Sequence, residues 1–151
     1  MRAKAIAANP MKLIGLAYRG FTKIADGLLR EQGFATSQLP VLGSLKGGAA
    51  LSQAELARIA QVEQPSMAQL LNRMERDGLV ERVPDPADRR SRLISLTRTA
   101  AKRIHVAKAV MVGLSQEALA DFSSQEIEQL MNLLQRVNDN IDRIGSDRSG
   151  L

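Results

Sequence analysis

The chain has 151 residues, 44% of them hydrophobic, which is enough for one proper core and, on the usual scale, a single domain spanning residues 1–151. It has no cysteine and one histidine, His105, which excludes disulfide frameworks, thiolate nucleophiles, thiolate metal sites, cysteine redox sensing and histidine-rich metal sites. The formal charge of +5 suggests an acidic partner.

The start, with Arg2 and Lys4 ahead of apolar residues, superficially resembles a secretory signal, but Asn9, Pro10 and Lys12 interrupt the run. Nothing downstream approaches the roughly 18 apolar residues of a membrane span. The expectation is a soluble, cytoplasmic protein without a membrane partner.

Asn9 as N-cap and Pro10 at the first helical position announce a helix running to about Gln32, with Gly33 placed for the left-handed turn beyond it. Ile14, Ala17, Phe21, Ile24 and Leu28 form its apolar stripe. A second helix is expected from Thr36 or Ser37 to Leu45, with Pro40 weakening its first turn and Gly47-Gly48 ending it.

Ser52-Gln53-Ala54-Glu55 is a capping box that starts a third helix ending near Gln61. A fourth runs from Pro65 to about Asp77, with Gly78 beyond its end. Leu79–Val83 and Arg92–Leu96 then read as two short strands, and Pro84-Asp85-Pro86 argues against regular pairing through the loop between them.

Two long helices close the chain, one from Thr97 to about Ala120 and one after the capping box Ser123-Ser124-Gln125-Glu126 to about Ile144. The seam of the fifth is Ala100, Ile104, Ala107, Met111, Leu114 and Ala118; that of the sixth is Ile127, Leu130, Leu134, Val137, Ile141 and Ile144. Such seams pack against another helix, either in the same chain or in a second copy, and their length favours a homodimer. The tail from Gly145 is expected to fray.

Between Gln53 and Asn72, apolar Leu56, Ala60, Val62, Met67 and Leu70, with small Ala57 at the crossing, have the pattern of a helix-turn-helix. Gln61 stands at the turn where glycine is common. On the fourth helix, Gln64, Ser66, Gln69 and Asn72 are hydrogen-bonding side chains opposite Met67, Leu70, Leu71 and Met74. They suit base edges in a major groove, although a solvated polar face has the same appearance. Arg73 and Arg76, toward the rear of the helix, are placed as phosphate clamps or as partners of Glu75, Asp77 or Glu81. The densest basic patch, Arg82 to Arg103, sets seven basic residues, including Arg89, Arg90 and Arg92, against Asp85 and Asp88.

Leu51-Ser-Gln-Ala-Glu-Leu-Ala57, Gln64-Pro65-Ser66, Met74-Glu-Arg-Asp-Gly-Leu-Val-Glu-Arg82 and Asp85-Pro-Ala-Asp-Arg-Arg-Ser-Arg-Leu-Ile-Ser-Leu-Thr97 together resemble the MarR (multiple antibiotic resistance regulator) family. Phe122-Ser-Ser-Gln-Glu126 and Leu130-Met-Asn-Leu-Leu134 extend the resemblance over nearly the whole chain, and Ala100 departs from it where the family commonly has glycine.

The resemblance implies a mainly α fold with a small β-hairpin wing: a winged helix-turn-helix lobe at about 37–97, with terminal helices at about 9–33 and 97–145 forming a dimerisation platform. It implies a transcriptional regulator, usually a repressor, whose homodimer binds a pseudo-palindromic double-stranded operator. The fourth helix would enter the major groove and the wing a flanking minor groove. Asp88-Arg89-Arg90 matches the family's Asp-x-Arg pattern, with Arg90 inserted and Asp88 bracing the loop by an ion pair, for which Arg92 is a candidate. The family's ligand cleft, for a small aromatic or anionic effector, would fall near Tyr18, Phe21, Leu42, Leu45 and either Arg98 or Arg103. Plain core packing would equally account for Tyr18 and Phe21.

No cofactor or metal is implied. Catalysis is disfavoured, because there is no glycine-rich phosphate loop, nucleophile elbow or Cys/His pair. A helical interaction module and a nonspecific architectural DNA binder compete with the regulator reading. The first has no reason to carry a charged wing, and the second would show little preference among sequences.

Overall fold

The computed structural model describes residues 9–150, so the Arg2/Lys4 segment lies outside the described residues. Helix α1 (Pro10–Arg30) is followed by a 3-10 turn (Thr36–Gln38), α2 (Leu39–Leu45) and α3 (Gln53–Ala60). Then come α4 (Gln64–Arg76), strands β1 (Val80–Asp85) and β2 (Asp88–Leu96), and helices α5 (Arg98–Ala118) and α6 (Ser124–Ser149). The result is mainly α with one antiparallel hairpin, the winged-helix class expected. No helix among the described residues is long and apolar enough to cross a membrane.

The chain divides into two compact units after Leu114. The core of the first gathers Leu29 and Phe34 near the end of α1, Val41, Leu42 and Leu45 of α2, and Leu56 and Ala57 of α3. Met67, Leu71 and Met74 of α4, Leu79, Val80 and Ile94 at the hairpin, and Ala100 and Ala107 of α5 complete it. Each fully buried Leu or Met contributes about 1.5–3 kcal/mol of transfer free energy, so this cluster dominates the unit's stability. The second unit contains α6, none of whose residues is buried.

Caps set most boundaries. Asn9 Oδ1 accepts from Met11 N–H at 2.9 Å, and α1 stops at Arg30, just before Gly33, whose φ of 82° reverses the chain. The expected second helix is a 3-10 turn followed by a short α-helix. Pro40, without an N–H, fits only the first turn of the latter, and Gln38 folds its side chain back to accept from Ala35 N–H at 2.9 Å. Thr97 Oγ1 donates to the Gly78 carbonyl at 2.6 Å and accepts from Ala100 N–H at 3.1 Å, tying the start of α5 to the end of α4.

Three expectations are corrected. The stripe Ile14, Ala17, Phe21, Ile24 and Leu28 is not the buried face of α1: Ala25 and Leu29 are buried, while Ala17, Ile24 and Leu28 are exposed. Their helical spacing identifies an apolar face without identifying what covers it. α6 continues to Ser149 instead of stopping near Ile144, since Gly145 costs a helix only about 1 kcal/mol and Ser146 and Ser149 bond back to carbonyls one turn earlier. The strands run farther toward the loop than Val83 and Arg92, because Pro84 in a two-stranded hairpin can leave its missing N–H on the open side. The pairing is nevertheless irregular there.

Candidate nucleic-acid interface

The helix-turn-helix is built from a cap, a turn and a buried seam. Ser52 N–H donates to Glu55 Oε2 at 2.8 Å and Glu55 N–H donates to Ser52 Oγ at 3.1 Å, the reciprocal pair that starts α3. The Ser52 backbone and hydroxyl bonds, with a smaller contribution from Arg58, hold the Glu55 carboxyl below its ordinary pKa. Gln61 then takes the left-handed conformation, φ 54° and ψ 44°, and Val62 N–H closes the helix end on the Ala57 carbonyl. For a residue with a Cβ that conformation costs roughly 1–2 kcal/mol. It is maintained because both flanking helices are anchored, Leu56 on one side and Met67 on the other. Val62 is not part of the seam; it is 43% exposed, turned out by the left-handed residue before it.

Across α4, Met67, Leu71 and Met74 are buried, while Gln64, Pro65, Ser66, Gln69, Asn72, Arg73 and Arg76 are exposed. The expected division between a core face and an outward polar face is thus present. Glu63 is the N-cap but makes no side-chain capping bond. Asn72 is not free: Arg82 of β1 donates from Nη2 to its Oδ1 at 3.0 Å and from Nε to Glu75 Oε2 at 3.1 Å. Arg82–Glu75 is the only ion pair among the described residues, so Arg73 and Arg76 have no carboxylate partner there.

In the wing, pairing runs from Val80–Leu96 to Pro84–Arg92 and then jumps to Asp85–Asp88, leaving residues 89–91 as a bulge on β2. Arg89 and Arg90 are carried on this bulge, with Arg92 at its base, and all three are exposed. Asp88 makes no ion pair with Arg92 and bonds within its own loop instead. Its Oδ1 accepts from Arg90 N–H at 2.9 Å and its Oδ2 from Ser91 Oγ at 3.1 Å, because a carboxylate at a bulge finds the local amide and hydroxyl first. Asp85 likewise accepts from Ala87 N–H at 2.9 Å. The base of the wing is fixed by Leu51 and Ile94, which exchange both backbone bonds, at 3.0 and 2.7 Å.

Sequence reasoning misses the Arg82 tie and the Leu51 bridge. From sequence, Arg82 is one charge in a patch, and its spacing from Asn72 carries no local signal.

Among the described residues, two of the six candidate effector residues, Tyr18 and Leu42, line different clefts. Tyr18, 69% exposed, lines a cleft of about 360 Å³ with Thr36, Pro40, Val62, Leu70 and Arg73. Leu42 lines a separate cleft of about 380 Å³ with Lys46, Ile104, His105 and Lys108. Phe21 is half-buried, Leu45 lies wholly in the core, and Arg98 is exposed at the start of α5. Arg103 is occupied: Nη2 donates to the Gln32 carbonyl at 2.7 Å and the guanidinium stands 5.7 Å from the Phe34 ring centroid.

Comparison with known proteins agrees with this geometry. The model of the MarR family matches residues 32–91. The transcriptional activatory protein BadR of Rhodopseudomonas palustris is 34% identical over 132 residues, covering 85% of this chain and 75% of its own. A cysteine-to-serine mutant of MarR from E. coli, solved in complex with operator DNA, superposes with a TM-score of 0.76 at 26% identity, over 83% of this chain and 91% of that one. The S. aureus MepR–DNA complex has the same fold, with a TM-score of 0.79 at 24% identity, over 87% of this chain and 98% of that one.

Proposed function

The chain belongs to the MarR family of transcriptional regulators, and from that premise we propose that it binds operator DNA as a two-fold homodimer, the whole chain working as one cytoplasmic module. The observation that carries this reading is the wholly exposed polar face of α4, Gln64 to Arg76, beside a bulge that presents Arg89 and Arg90. The likeness to E. coli MarR in complex with operator DNA supports it. Gln64, Ser66, Gln69 and Asn72 would read base edges, with Pro65 starting the helix against the groove. Arg73 and Arg76 would hold phosphates, and Arg89, Arg90 and Arg92 would track the flanking minor groove, with Asp88 shaping their loop.

A homodimer is supported by the unburied seam of α6, in which Leu134 is 37% and Ile141 48% exposed, and by exposed Ile24 and Leu28 on α1. A small aromatic or anionic effector would act by binding one spacing of the two reading helices better than the other. Tyr18's cleft offers Arg73 to such an anion, and Leu42's offers Lys46 and Lys108. A thiol-based signal has no residue to act on.

Bound across a promoter, the dimer would repress by occlusion; the relative BadR, named an activatory protein, favours a second reading in which it recruits the transcription machinery. Competition binding between promoter DNA and random duplex, with and without phenolic acids, tests the DNA and effector roles. Transcription from the bound promoter in vitro decides the sign. A chain that binds both duplexes equally would instead be an architectural protein.

A further inference from the structure

Arg82 is the one cation of the wing that faces α4 in a bonded arrangement. Its Nε and Nη2 donate to Glu75 and Asn72, at 3.1 and 3.0 Å. These two acceptors are three residues apart and share one helix face, so a single planar fork holds both. The strand that carries the fork is itself fixed: Arg82 is registered opposite Ile94, which is buried and bonded in both directions to Leu51.

Two chemical consequences follow. The polar atom of Asn72 that lacks a protein partner is Nδ2, which carries two donors. Glu75, which alone would offer a bare carboxylate beside Arg73 and Arg76, is paired.

We infer that Arg82 is a positioning residue for sequence reading, orienting Asn72 as a donor and neutralising Glu75 without itself touching phosphate. The inference rests on the DNA-binding reading above. A donor-only side chain selects acceptors in the major groove; adenine N7 stands beside a donor and thymine O4 beside a methyl group, whereas guanine alone sets two acceptors, N7 and O6, side by side to receive both hydrogens. An asparagine with both amide atoms at liberty takes adenine bidentately instead. The base pair facing Asn72 is therefore G·C, and its recognition depends on a residue that does not reach it.

Sites bound by the full chain are selected from random duplex, and affinities for the selected site and its single-pair variants are measured for N72A, R82A, R82K, E75Q and the N72A/R82A double variant. Thermal unfolding is followed for each. N72A is expected to flatten the preference at one G·C pair by about tenfold. R82A flattens the same pair to a similar extent, and the double variant goes no further. R82K fails to restore the preference, since an ammonium cannot span both acceptors, while E75Q retains it.

Where R82A does not fold, R82K supplies the same comparison. An R82A variant that loses affinity on every sequence alike, with a salt slope smaller by about 0.9, is a lost phosphate clamp and overturns the inference. So does an A·T preference at the Asn72 pair. An unmodified chain that selects no sequence overturns the DNA-binding reading itself, and this inference with it.

Discussion

Thr36 binds Asp26 twice, its N–H donating at 2.8 Å and its hydroxyl at 2.7 Å to the same Oδ1, so the turn before α2 is fastened to the side of α1. These two bonds, the backbone one foremost, and the charge of Arg30 hold the Asp26 carboxyl below its ordinary 3.8. The folded-state pKa is thus lower than the unfolded one. The linkage contributes stability that is fully present above about pH 4 and is lost as pH falls through the lowered folded value. Asp26→Ala is expected to cost about 1 kcal/mol at neutral pH, discounted for partial exposure, and to flatten the acid side of a Tm-against-pH plot. An unchanged acid slope would show that the pair does not titrate with folding.

At Gln61 the backbone pays for a left-handed turn that glycine would adopt freely. Gln61→Gly should raise stability by roughly 0.5–1 kcal/mol, the relief of strain exceeding the added chain entropy, and Gln61→Val should lower it. Denaturant unfolding midpoints check both. A loss on introducing glycine would mean that the glutamine side chain contributes something beyond its conformation.

Gln69 and Arg90 are exposed on different parts of the interface, and their losses should differ in kind. Gln69→Ala should relax preference at one base pair, by on the order of 1–3 kcal/mol, and leave the salt slope alone. Arg90→Ala should weaken binding most where the flank is A·T-rich and narrow, and should flatten the salt dependence. Anisotropy titrations at several salt concentrations separate the two; equal losses on every sequence would erase the distinction between reader and clamp.

The exposed seam of α6 leads to an expected solution mass of twice the 16.4 kDa chain. Leu134→Glu, which puts a charge in that seam, should shift light scattering toward the monomer at micromolar concentration. A monomeric unmodified chain would contradict the two-fold model.

What the sequence made legible was what is encoded locally. The Ser52 and Ser123 capping boxes, the Asn9-Pro10 start and the glycine at position 33 declare themselves within four residues, and each appears where expected. The outward face of α4 was legible for the same reason, because helical spacing sorts Gln69 from Met67 without any tertiary knowledge. What was not legible depends on distant partners. Arg82 meets Asn72 only once the hairpin folds back on α4, and Arg103 is consumed by the carbonyl of Gln32, 71 positions away. Periodicity could not say that Ile24 and Leu28 face outward, because an apolar stripe awaiting another surface has the same spacing as one in the core. Leu42 and Leu45, one turn apart on α2, are both buried in the core, and nothing in their spacing marks Leu42 as the one that also borders a cleft.

Selection of bound duplexes from a random pool by the unmodified chain tests DNA reading, symmetry and spacing in one measurement. The expected result is an enriched pseudo-palindrome with half-site centres about one helical turn, ~34 Å, apart and A·T-rich flanks where the wings would lie. A pool that stays random while still being retained at low salt would contradict sequence-specific regulation and leave only a basic surface that holds phosphate.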